Sequence, residues 1–299
     1  MKRRLSLAVA AVILAGGLAA CSGTAQTPSS AGTPAAGKPV TVTVGVTDAS
    51  KDYWKTFVDL AAKQDITVKL QNFTDYQQPN PILSQGGLQL NQFQHLLFLA
   101  NYDVKAKADL VPIGATAVYQ LGLYTTKGYK DPSAIPSGGK IAIPNDPTNQ
   151  ARALLVLQSA GLISLKNGGT AFSTPADVQP GSKVTVVPVD ANQTPVQEKT
   201  LDGAVINNNF ASDAGIDPTT AIYSDLKDLK AAEPYINIWV ARAKDKDNPT
   251  FAKLVQIYHS PEVTQQLLAD SKGTAVSVDK SPAELQAILT KLQDQIKAG

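Results

Sequence analysis

Twice along the chain, a short β-branched run gives way to a stretch with helical spacing. That alternation restricts the fold more than any other feature. VTVTVGV (40–46) precedes DYWKTFVDLAAKQ, where Trp54, Phe57, Val58 and Ala61 or Ala62 fall on one helical face, and ITVKLQNF (66–73) is extended again. A helix at PILSQGGL, a short strand at QLNQFQ and a helix at HLLFLANYDVKAK follow. A second block opens with KIAIPND (140–146) and the amphipathic PTNQARALLVLQSAGLI, with Pro147 suited to a first turn and Gly161 near the end. VTVVPVD and LDGAVINNNF read as strands around a short helical TPVQEKT, and the tail reads as helices. Parallel strands need crossovers, so this pattern means an α/β protein with parallel or mixed sheets and sites at strand carboxyl ends. Two long extended runs, 110–126 and 235–243, join the blocks. They predict two lobes with a double hinge crossover, residues 41–122 plus 236–299 in one and 123–235 in the other.

The N-terminus reads as a bacterial export signal. Lys2, Arg3 and Arg4 precede an apolar run, Leu5 to Leu18, and small residues lead to Cys21. The run is shorter than the roughly 20 residues a membrane-spanning helix needs. Leu18-Ala19-Ala20-Cys21 resembles a lipobox, which implies a signal peptide over 1–20, cleavage before Cys21 and acylation of its thiol and new amine. Cys21 is the only cysteine, so an intrachain disulfide is excluded and lipid attachment gives the residue a purpose. Residues 21–39 are Ser, Thr, Gly, Pro and Ala with almost no large apolar side chain, the composition of a flexible tether.

The full chain carries a formal charge of +2, and loss of the three basic signal residues leaves −1. Acids and lysines are interspersed without a basic stripe, which argues against a nucleic-acid partner. There is no G-x-S-x-G elbow, and the candidate base His95 sits among asparagines and glutamines rather than carboxylates. His95 and His259 lie in distant segments, and no cluster has metal-ligand spacing. The expectation is a monomer that is not an enzyme, with no metal and no cofactor.

Four polar or aromatic segments fall where strands should end: FTDY (73–76), NQFQH (91–95), PNDPTNQAR (144–152) and VINNN (205–209). Singly, each has an ordinary explanation. A lone histidine beside leucines is usually structural, a helix arginine is usually a surface cation, an asparagine run is usually a turn, and Phe73 and Tyr76 could be core. Jointly and in this order, they resemble the signature blocks of the NlpA-type methionine-binding lipoproteins, substrate-binding parts of methionine ABC importers. FTDYQQPNPILSQGGLQLNQFQH, IPNDPTNQARALLVLQSAGLI, AVINNNFAS and EPYINIWVARAKDKDNP carry the resemblance over residues 41 to about 275. It implies a two-lobed type II periplasmic-binding-protein fold, methionine or a close relative in the cleft, an ABC importer permease as partner, and a membrane anchor through lipidated Cys21 on the extracytoplasmic face.

The same resemblance carries ligand-binding roles onto Phe73, Tyr76, Phe93, His95, Asn145, Arg152 and Asn207, with Asn149 in the same motif. Physical chemistry agrees. A zwitterionic amino acid needs a carboxylate partner, and Arg152 offers a planar, permanently charged fork near a helix start. Its ammonium needs acceptors, which the Asn145 and Asn207 amide oxygens can supply. A thioether is suited by aromatic walls, each contact contributing roughly 0.3–1.5 kcal/mol. By period-2 alternation His95 shares a face with Phe93, so its ring should point into the cleft.

The chain departs from the family pattern at GVTDASKDYW, where Asp48, Ser50 or Tyr53 could alter which molecule fits, at Val118-Tyr119-Gln120, and at the triple asparagine 207–209. Ligand alternatives therefore stay open: a short methionine-containing peptide or another amino acid. A reading from another class is a surface adhesion lipoprotein with no transport role.

Overall fold

The computed structural model describes residues 40–227 and 232–298, so the export signal, the tether and Cys21 lie outside the described residues. In chain order the elements are β1 (Val40–Val46), α1 (Asp52–Ala62), β2 (Ile66–Asn72), α2 (Pro79–Ser84), β3 (Leu90–His95), α3 (Leu96–Ala106) and β4 (Leu110–Ala115). Then come β5 (Ala117–Tyr119), β6 (Leu121–Tyr124), β7 (Gly139–Pro144), α4 (Pro147–Ser159), β8 (Val184–Val189), α5 (Thr194–Glu198), β9 (Gly203–Asn207) and α6 (Asn208–Asp213). The chain closes with β10 (Tyr223–Ser224), β11 (Asn237–Arg242), α7 (Pro249–Tyr258), α8 (Pro261–Asp270), β12 (Ala275–Ser277) and α9 (Pro282–Ala298).

Two five-stranded mixed sheets result. The first has the order β2-β1-β3-β11-β4, with β1 parallel to β2 and β3, and β11 antiparallel to both neighbours. The second has the order β10-β6-β9-β7-β8, parallel among β9, β7 and β8 and antiparallel at β6 and β10. The chain leaves the first sheet after β4 and enters the second at β6; it returns between β10 and β11. Two crossings between two sheets make the molecule two-lobed, as the alternation of elements implied.

In the first lobe, one face of the sheet is covered by α1, α7 and α8. There Trp54, Phe57, Trp239 and Tyr258 stack edge to face or tilted, with ring centroids 5.4–5.9 Å apart. Such pairs contribute about 0.5–1.5 kcal/mol each beyond the apolar area they bury. The other face packs Leu83, Leu88, Leu96 and Leu97 against Leu285, Leu289 and Leu292 of α9. In the second lobe α4 covers one sheet face through Ala153, Leu154 and Leu157. A fourth cluster joins Tyr76 and Phe98 of the first lobe to Tyr124, Ile206 and Phe210 of the second. Polar contacts also bridge the lobes: Asn192 Nδ2 donates to the Thr74 carbonyl at 2.9 Å, and Lys272 pairs with Asp217 at 2.7 Å.

Local chemistry sets the boundaries. Asp146 N-caps α4, accepting from the Asn149 N–H at 3.0 Å, and Pro147 occupies the first turn. Ser281 and Glu284 form a reciprocal capping pair at the start of α9. Three expectations change. LDGAVINNNF is a strand only to Asn207, which adopts the extended backbone of a helix N-cap, and α6 begins at Asn208. The long run 110–126 is three strands rather than one. The short β12, paired with β5, was not expected at all; three residues are too few for a periodicity to register.

Asp103, in the last turn of α3, is buried at the α9 interface, accepting from the Leu110 N–H at 3.3 Å and from Gln293 Nε2 at 3.1 Å. Burial, with Asp109 nearby, pushes its carboxyl up from 3.8 to about 7. The fold therefore favours the protonated form. That stabilisation is complete below about pH 4 and is lost as pH rises through about 7. Relative to wild type, Asp103→Asn should gain stability steadily across this window, read as a widening difference in urea midpoint. A pH-independent difference would refute the assignment.

Candidate functional site

A cavity lies between the lobes where β1, β3 and β9 end, enclosing about 650 Å³ of space with the solvent at its mouth included. Both sheets direct strand ends toward it, which is why residues distant in sequence meet there.

One wall is aromatic. Tyr76, Phe93 and Phe98 line it with mutual centroid distances of 5.7–6.2 Å, and Tyr76 stacks on Phe210 of the opposite lobe at 4.8 Å. The Tyr76 hydroxyl donates to Asn209 Oδ1, tying the lobes across the wall. Such a surface receives an apolar or thioether chain.

Arg152 lines another part of the cavity from the second turn of α4, with only 5% of its surface exposed. Its Nε donates to Asp225 at 2.6 Å, its Nη2 to the Tyr119 carbonyl at 2.7 Å, and its guanidinium lies 4.2 Å from the centroid of the Tyr235 ring. A planar cation held in this way is oriented before any anion arrives.

His95 ends β3 and N-caps α3 through its side chain. Nδ1 accepts from the Phe98 N–H at 3.1 Å, and Nε2 lies 3.3 Å from Asn149 Oδ1. A backbone N–H can only donate, so Nδ1 carries the lone pair and Nε2 the proton. Burial, reinforced by the charge of Arg152, pushes the imidazole down from 6.5 to about 3. Asn207 donates through Nδ2 to Asn149 Oδ1 at 3.0 Å. Its own Oδ1 is buried and has no hydrogen-bond partner among the described residues. The site thus combines a fixed cation, an unused amide acceptor and an aromatic wall.

Of the residues expected from sequence, Tyr76, Phe93, His95, Arg152 and Asn207 come together around this cavity. Phe73 and Asn145 do not. Phe73 sits in the first-lobe core with Leu83 and Leu88, against the backbone of Gly45, its N–H donating to the Val46 carbonyl at 2.8 Å. Asn145 is exposed and donates to Asp190 at 2.6 Å, since the turn into α4 directs Asp146 inward and Asn145 outward. Asn149, whose part was undefined, holds both His95 and Asn207. Sequence reasoning missed Phe98, read as one more apolar residue of a helix; its ring stands perpendicular to that of His95, with centroids 6.2 Å apart. It also left unassigned Thr47, Gln92, Gln94 and Asn237, which line the cavity beside Asp48, Tyr119, Gln120, Asn208 and Asn209 from the segments that depart from the family pattern. Among the described residues, no group of three or more His, Cys, Asp or Glu is placed to hold a metal, and no helix is long and apolar enough to cross a membrane.

The family model described as NlpA lipoprotein matches residues 42–278. The chain belongs to the NlpA lipoprotein family. Among its relatives, the D-methionine-binding lipoprotein MetQ of Escherichia coli O157:H7 is 37% identical over 218 residues, covering 72% of this chain and 79% of that one. Protein PG110 from Staphylococcus aureus is similar in structure with a TM-score of 0.80 and 39% identity, covering 84% of this chain and 99% of that one. The substrate binding protein of a methionine transporter from Streptococcus pneumoniae gives a TM-score of 0.74 at 32% identity, covering 80% and 95%. MetQ is named for binding and the Streptococcus pneumoniae protein for its place in a transporter, and the two-lobed fold is that of a periplasmic-type binding protein.

An imidazole held neutral by burial should not titrate in the ordinary range. Nuclear magnetic resonance of the His95 ring is expected to show one tautomer and no midpoint between pH 5 and 8. A midpoint near 6.5 would mean that water reaches the ring.

Proposed function

We propose that this chain is an extracytoplasmic solute-binding lipoprotein that captures methionine, or a close relative, between its lobes and delivers it to an ABC importer permease. The observation that carries the reading is the unpartnered Asn207 Oδ1 in a cavity that also holds Arg152 and the Tyr76–Phe93–Phe98 wall. A buried acceptor without a partner is disfavoured by about 1–3 kcal/mol, and an α-ammonium relieves that. Arg152 takes the carboxylate, and the aromatic wall takes the thioether. The relatives' names support the same ligand class. Residues 41–122 plus 236–299 act as one lobe and 123–235 as the other, closing about the two crossings. Ligand shifts that equilibrium only by its differential affinity for the closed form. The mature chain is a monomer held at the membrane by acylated Cys21.

A second reading is a short methionine-containing peptide. It rests on the polar end of the cavity, where Thr47, Asp48, Gln120 and Asn208 offer more hydrogen-bonding groups than one amino acid uses.

Mass spectrometry of the small molecule released on denaturing the purified protein, followed by calorimetric titration of refolded protein, tests both readings. Methionine should be recovered and rebind. Arg152→Ala should cost about 2 kcal/mol or more, roughly thirtyfold in Kd, with its fold checked by circular dichroism. Recovery of a dipeptide selects the second reading, and a cleft that no amino acid or peptide fills sinks both. Cys21→Ser should move the protein from the membrane to the soluble fraction, because two or three acyl chains anchor stably and none does not.

A further inference from the structure

We infer that Asp146, which does not line the cavity, is a positioning residue that decides which end of the Asn207 amide faces a ligand. The site therefore selects a hydrogen-bond donor at that point. This rests on the reading of the cavity as an amino-acid site, and it adds the origin of that site's polarity.

The chain of constraint starts at a group that can only accept. Burial raises the Asp146 carboxyl above its ordinary range, but its hydrogen bonds all come from donors: it takes the Asn149 N–H at 3.0 Å and Thr148 Oγ1 at 3.2 Å through Oδ1, and Asn149 Nδ2 at 3.1 Å through both oxygens. Asn149 must therefore turn its Nδ2 toward Asp146 and its Oδ1 away. That Oδ1 is what Asn207 Nδ2 and His95 Nε2 reach, at 3.0 and 3.3 Å. With Nδ2 committed to Asn149, Asn207 has its Oδ1 on the other side, buried and unpartnered.

A second fixed end enforces the same direction. The Phe98 N–H can only donate, so His95 accepts at Nδ1 and donates at Nε2, which again requires an oxygen at Asn149. A carboxylate at one terminus and a backbone N–H at the other leave one self-consistent orientation for both amides. A ligand ammonium meets an acceptor at Asn207. A ligand oxygen without a proton would meet lone pair against lone pair. Charge plays no direct part, because Asp146 is separated from the ligand by two amides.

Asp146→Asn tests this, because asparagine still caps α4 through one oxygen but places an NH₂ where the second oxygen was, freeing Asn149 to turn over. Asp146→Ser, which also caps, is the second variant should the first fold poorly. The first readout uses the full-length chain without ligand. In wild type the His95 Nε2 proton should be hydrogen-bonded and slow to exchange, and in either variant it should broaden or exchange at least tenfold faster. The second is the ratio of Kd values for L-methionine and its des-amino analogue 4-(methylthio)butanoate. Wild type should prefer methionine, and the variants should narrow that preference at least tenfold while binding the analogue within about twofold of wild type. Equal weakening toward both compounds, or an unchanged His95 proton, overturns the proposal. Should wild type bind neither compound, the amino-acid reading fails, and the His95 proton alone decides for or against the relay.

Discussion

Arg152 can be buried only because its charge is answered before any ligand is present, and the arrangement of both lobes follows from how that is done. Its partners come from the two chain crossings: the Tyr119 carbonyl from the first, and Asp225 and Tyr235 from the second. A residue of the second-lobe helix α4 thus clasps both connecting segments at the mouth of the cleft. The Asp225 carboxylate keeps the cation from being an isolated buried charge, which would be strongly disfavoured. Tyr119 is a cavity wall in its own right. An anion at Arg152 would therefore act where the two segments that connect the lobes are fastened.

β3 is supported in a different manner. Behind the cleft, Asn80, Asn91 and Gln94 are almost wholly buried and satisfy one another: Asn91 Nδ2 donates to Asn80 Oδ1 at 2.9 Å, and Asn80 Nδ2 to Gln94 Oε1 at 2.7 Å. Buried amides are tolerated when paired, and a paired set admits one geometry. Asn91 and Gln94 of β3 belong to this network, and Gln94 lines the cavity together with Phe93 and His95. The motif N-x-F-Q-H therefore joins the strand's buried amide network to the ligand space, with Gln94 belonging to both.

The fold was largely legible because its signals are local and repeated. β-branched runs, amphipathic spacing and helix starts such as Asp146-Pro147 each speak for themselves, and their alternation implies crossovers between two sheets. The site was legible where side chains lie at strand ends in register, as with Phe93 and His95. It was not legible where a turn decides direction: Asn145 and Asp146 are neighbours, yet only backbone geometry sends one out and the other in. Phe73 lies one residue past β2, where core and cavity are both within reach, so its aromatic character could not separate wall from filling. Asn207 was expected from its motif, but that its amide is engaged by Asn149, from another strand–helix junction, is a non-local fact.

The aromatic stack on the first sheet has a consequence for optical work. Trp54 and Trp239 are the chain's two tryptophans, and both lie in that stack, fully buried and 5.9 Å apart. Indole emission therefore reports on the packing of one lobe alone. Loosening of the second lobe would leave that signal almost unchanged, whereas rearrangement of β11, which carries Trp239 and pairs with the strand ending in His95, would register directly. A fluorescence melt and a calorimetric melt of this protein thus measure different portions of the same molecule, and agreement between them would itself demonstrate that the two lobes unfold as one unit.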